Sequence, residues 1–305
     1  MEKSYQLRFY TPAYEESKEG GVFGCASFGV CNEKKWHEPA ESVNLAFGKT
    51  LKGILINASL AEAREQITVI PNKADVKAGI VLYGNCGREN EFTNFLCTQL
   101  PDVPLIGGSS AFTDNGKMGR LLPENNEFSA LFLTDEKYSY FTEYCNIHSE
   151  IIKELSVEGT EPRHIKTVID AGKRVILSEV IREIGLQKGI MAGLHERVAV
   201  SDQYNRNIHL IPDSENYICG ADLPENRQIF VRYSCEDAFE EIRQFYSCEN
   251  ALIFGCAGLK SILDNKTFVT GRNTLGLFMF GEVVPIGKYS NFANLTLARL
   301  QIVPK

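Results

Sequence analysis

The sequence lacks the marks of several specialised protein classes. No run approaches the ~18 consecutive apolar residues of a membrane-spanning helix, so no membrane insertion is expected. No Cys-x-x-Cys occurs among the nine cysteines, whose number is odd and whose spacing is irregular. They read as reduced core thiols, not as a disulfide framework. Histidine is sparse: His37, His148, His164, His195 and His209 are scattered, with no short zinc-ligand spacing. Neither a metal nor another cofactor is expected. Positive charge is also lacking. Lysine and arginine number 32 against 39 acids, for a net charge of −7, so the basic stripe that nucleic acid requires is missing. The leading stretch MEKSYQLRFYTPAYEE is polar and has no apolar core, which predicts no secretory signal and a cytoplasmic protein.

What is present suits a globular protein. The chain has 305 residues, 44% hydrophobic and 23% charged, enough to bury a sizeable core without metal or disulfide staples. Apolar runs predict strands over 79–83 (GIVLY), 103–106, 128–133 (FSALFL), 208–211, 229–233, 252–254, 277–280 and 295–303. Ser59 with Glu62 predicts a capped helix start, and Ser234 with Asp237 predicts another. Helical spacing marks 89–100, through Phe92, Phe95, Leu96 and Leu100, and 173–187, through Ile176, Leu177, Val180, Ile181 and Ile184.

An internal repeat organises these elements. AGIVLYGNCG (78–87) and NALIFGCAG (250–258) are both apolar strands ending in an aromatic and glycine, with a cysteine close behind. Each leads to a second apolar strand ending in glycine, VPLIGGSS (103–110) and LGLFMFGE (275–282), and then to a third, FSALFL and LTLARL. The expected class is mixed α/β, with two related halves over 1–150 and 151–305, each a mixed sheet flanked by helices.

Ligands of α/β proteins bind outside the carboxyl ends of strands. There the first half places Asn85, Cys86, Arg88, Gly107, Gly108, Ser109 and Ser110, and the second Cys256, Gly258, Lys260, Gly281 and Glu282. Glycine lets backbone approach a ligand closely. Glu282, just beyond a greasy strand, offers an acceptor for an ammonium group, while Arg88 or Lys260 offers a partner for a carboxylate. The set fits an amino-acid-like small molecule. A structural reading stands beside it, in which Glu282 pairs with Arg272 or Arg299 and the glycines are turns. Two more readings stay open: a reaction at Cys86, Cys256 or Ser109, and an interaction subunit without a ligand. No histidine lies near either cysteine to act as base.

Three stretches resemble the FIST domain family, which has an N-terminal and a C-terminal region: LIFGCAG (252–258), GLFMFGEVVPIG (276–287) and Asn294-Leu295-Thr296. PLIGGSSAF (104–112) is similar to the glycine-serine turn of the N-terminal region. The resemblance implies an intracellular sensory domain that binds small ligands such as amino acids and is often joined to signalling modules; in this chain signalling is expected to run through a separate partner or an oligomer. Leu259 and Lys260 stand where the family usually has an arginine after Cys-Ala-Gly, which puts the ligand's identity in question.

Overall fold

The computed structural model describes residues 6–10, 22–26, 30–31, 36–37, 43–46, 52–84, 86–110, 121–122, 126–146, 149–184, 191–194, 204–210, 214–219, 223, 226–234, 238–259, 270–286, 289–293 and 296–305. The architecture is mixed α/β. The chain divides into two compact units. One comprises Met1–Cys145, Phe239–Phe292 and Leu297–Lys305; the other comprises Asn146–Ala238 and Ala293–Thr296.

Among the described residues the first unit holds three sheets. A four-stranded sheet runs β5 (Val43–Ala46), β1 (Gln6–Tyr10), β2 (Val22–Ala26), β9 (Leu121–Leu122). A six-stranded sheet runs β23 (Tyr289–Ala293), β22 (Glu282–Ile286), β8 (Leu105–Ser109), β7 (Ala78–Tyr83), β10 (Phe128–Leu133), β6 (Gly53–Ala58). A second six-stranded sheet runs β4 (Trp36–His37), β3 (Val30–Cys31), β21 (Leu275–Met279), β20 (Ala251–Cys256), β24 (Thr296–Pro304), β11 (Tyr138–Asn146). The two six-stranded sheets share one pattern. Each has a central parallel pair, β7 with β8 and β20 with β21, and an antiparallel strand on either side. In each, one flanking strand comes from the far end of the chain: β22 joins β8, and β3 joins β21.

Helix α1 (Leu60–Thr68) starts at the expected box, where the Ser59 hydroxyl accepts the Glu62 N–H and the Glu62 carboxylate accepts the Ser59 N–H. This satisfies two amides at the helix start. Helix α2 (Glu89–Gln99) buries Phe92 and Leu96. Both helices pack on one face of β6, β7, β8 and β10, against Ile56, Val81, Tyr83, Phe128 and Phe132. Helix α4 (Ala238–Tyr246) covers β20 and β21, where the rings of Tyr246 and Phe278 stack at 6.1 Å.

The second unit is built around an eight-stranded sheet, β13 (His164–Ile165), β18 (Tyr217–Cys219), β17 (Tyr204–Leu210), β16 (Met191–Leu194), β19 (Gln228–Ser234), β12 (Ser149–Val157), β14 (Thr167–Asp170), β15 (Lys173–Ile176). Helix α3 (Leu177–Ile184) closes its core with Leu177, Val180 and Ile181.

Several expectations need correction. Residues 173–176 are strand, not helix: Ala171 and Gly172, at φ +48° and +82°, turn the chain so that β15 pairs with β14. Ser234 is the last residue of β19, and the helix start expected after it falls on 235–237, outside the described residues; α4 is described from Ala238. Gly107, Gly108 and Ser109 are not a loop but the buried end of β8.

Candidate functional site

The strand-end residues of the first unit fall on two faces of one sheet. Alternation along β8 turns Ser109 toward α2, on the face carrying Leu105, Val81 and Tyr83. There Glu89, the first residue of α2 and 7% exposed, accepts the Gly87 N–H at 3.2 Å and the Ser109 hydroxyl at 3.2 Å on its Oε1. Its backbone carbonyl accepts the Thr93 hydroxyl at 2.8 Å. Thr93 has thereby spent its only proton, so the Tyr83 hydroxyl, 2.8 Å away, donates to Thr93. Burial pushes the Tyr83 phenol up. The Cys86 thiol is pushed up to about 11, first by burial and then by the Glu89 carboxylate. At neutral pH it is a thiol, not the thiolate that nucleophilic attack requires.

The opposite face carries Gly108, Glu282 and Ser110. Glu282 opens β22 and stands opposite Gly108 in the antiparallel ladder, so their Cβ directions share a face. Ser110, two residues beyond Gly108, follows on that face. Both Glu282 and Ser110 are wholly shut off from solvent. The Ser110 N–H donates to the Tyr83 carbonyl at 2.8 Å, but its hydroxyl has no hydrogen-bond partner among the described residues. The link between β21 and β22 is clamped to β8: Phe280 N–H donates to the Ser109 carbonyl at 2.8 Å, and Ser109 N–H donates to the Gly281 carbonyl at 3.0 Å. Gly281 makes this turn at φ +90°, a conformation glycine adopts without penalty. The arginines expected beside Glu282 are held elsewhere: Arg272 binds Glu249 at 3.1 Å, and Arg299 binds Glu143.

Cys256 is the last residue of β20, 6% exposed, and pairs in register with Met279. Met279 accepts the Cys25 thiol at 3.9 Å, and its Cβ lies 3.0 Å from where a Cβ on Gly108 would stand. Strand β20 also touches β8 and β22. The fold thus gathers Gly107, Gly108, Ser109, Ser110, Gly281, Glu282 and Cys256 around one seam. It does not bring Arg88 into it: that guanidinium is exposed and donates twice to Glu91, at 3.1 Å each. Gly258 sits exposed in the turn after β20. Asn85 and Lys260 lie outside the described residues.

The face toward α2 includes one group that sequence reasoning missed, the buried Glu89. Its signal was present, an acid opening a helix directly after a strand and glycine, but such acids ordinarily sit in solvent at helix starts. Among the described residues there is no His, Cys, Asp and Glu cluster able to hold a metal ion, and no helix long and apolar enough to cross a membrane. No protein-family model matches the chain, and neither does any curated protein or solved structure.

Proposed function

We propose that the protein is a cytoplasmic sensor that binds an amino-acid-like small molecule on the β8–β22 face and relays its presence to a separate signalling protein. The observation that carries this reading is Ser110, whose hydroxyl is fully buried without a partner among the described residues, on the face that also buries the Glu282 carboxylate. A polar atom left so costs about 1–3 kcal/mol, and a site of that kind is commonly filled by a ligand or water. A ligand ammonium group donates to the Glu282 carboxylate and the Ser110 hydroxyl together. Because both groups are closed to solvent, entry requires a local opening, and that movement is what a signalling partner reads. A thiol reaction at Cys86 fits less well, because its thiol stays protonated.

The test is thermal unfolding of the full chain against a panel of amino acids, repeated with Glu282→Gln. A ligand at a hundred times its dissociation constant adds about 2.7 kcal/mol. A shift present in the native protein and absent from the variant supports the site. A shift of equal size in both, or none across the panel, overturns it.

A further inference from the structure

The second unit carries a polar groove of its own. It has a volume of about 470 Å³, within the range of small-molecule sites. Strand alternation builds it. Ile165 and Val168 point into the core of this unit, which turns His164, Lys166 and Thr167 outward at the junction of β13 and β14. Arg174 faces the same way from β15, where it stands opposite Ile169. Glu158 and Glu161 come from the segment after β12, and Asn216 immediately precedes β18.

The wall formed by that segment is fixed in place. Arg227 donates to the Glu161 carbonyl at 3.0 Å and to the Val157 carbonyl at 3.4 Å. Leu223 N–H donates to the Pro162 carbonyl at 2.7 Å, and Cys219 N–H to the Arg163 carbonyl at 2.9 Å. The Ser214 hydroxyl accepts the Asn216 N–H at 3.1 Å. A groove formed in advance spares a ligand the entropy of ordering it.

Charge decides what it takes. Arg174 is bound to Glu158 at 2.6 Å and Lys166 to Glu215 at 3.2 Å. A ligand carboxylate reaching either cation replaces the protein's own carboxylate and adds nothing to it. A ligand anion therefore gains little net attraction. What stays available is a mixed set of donors and acceptors: the Glu161 carboxylate, the His164 ring, the Thr167 hydroxyl and the Asn216 amide. Hydroxyl groups, each both donor and acceptor, match such a set without breaking an ion pair. We propose that this groove binds a neutral polyhydroxylated molecule, of the saccharide class, independently of the site on β8 and β22.

The experiment is isotope-edited NMR of the full chain, titrated with maltose and, separately, with glutamate. The result expected is a saturating shift of the amides of residues 158–167 and 216 with maltose and not with glutamate. The maltose shift should weaken at least tenfold in apparent affinity in Asn216→Ala and in Glu161→Gln, both at exposed or half-exposed positions where folding is retained. No saturating shift with maltose, a shift indifferent to both substitutions, or a response to glutamate alone overturns the proposal.

Discussion

Replacing Ser110 with alanine reverses the usual sign of a core substitution. Ser110 is wholly buried, and its hydroxyl meets no partner among the described residues, while its backbone N–H keeps its bond to the Tyr83 carbonyl whatever the side chain. The substitution removes one oxygen and its desolvation penalty, put at about 1–3 kcal/mol. Against that stands the dispersion lost with a single atom, a few contacts of ~0.1–0.2 kcal/mol each. The expected outcome for ligand-free protein is a gain of about 1 kcal/mol, a rise in Tm of roughly 2–4 °C for a unit of this size. The assay is urea or thermal unfolding of Ser110→Ala beside the native chain, with Ser110→Val as a control. Valine overfills the same space and should lose about 1–3 kcal/mol. In the presence of any amino acid that stabilises the native protein, the alanine variant should lose part of the ligand's added stability. A ligand-free alanine variant less stable than the native chain by about 1 kcal/mol or more would refute the reasoning, since the hydroxyl would then be making a bond that supports the fold.

Two further outcomes follow from the same strands. Gly107 lies at φ +146°, and a Cβ there would stand 1.7 Å from the Val81 carbonyl oxygen; Gly107→Ala should cost at least about 3 kcal/mol in denaturant unfolding, and a near-native midpoint would contradict the close approach of β7 and β8. The Cys86 thiol, at about 11 against an ordinary 9.0, should react with iodoacetamide about a hundredfold more slowly than an ordinary thiol at pH 8. Its rate should climb until the pH passes about 11, and a plateau near pH 9 would show an ordinary thiol.

Local pattern carried part of this fold into the sequence. The capping box at Ser59 and Glu62 is a purely local device, and so is the apolar stripe of α2; both are where their spacing places them. The repeated strand pairs β7–β8 and β20–β21 were legible because buried parallel strands are near-continuous apolar runs. What escaped was set by distant partners. The glycines of β8 look like a turn, yet they extend a strand because Val81 and Gly281 crowd both sides of the ladder. The 173–176 segment has helical spacing, but the hairpin closed at Ala171 and Gly172 claims it for a sheet. Strand β12 reads as unpatterned because its register against β19 shifts between Ile151 and Lys153. That shift breaks the two-residue period a strand is recognised by. The candidate site was half legible. Ser109, Ser110 and Glu282 stood out at strand ends, but that Ser109 and Glu282 look to opposite faces follows only from the β8–β22 register.

That same register bears on how the chain is made. Strand β8 leaves the ribosome well before its neighbour β22 and the Ser290 that holds Cys97 from 193 residues away. Until then the edge of β8 that β22 will pair with is open in the nascent polypeptide. The β8 side of this sheet therefore cannot close until β22 has been made, and an unpaired strand edge is exposed to misassembly in the interval.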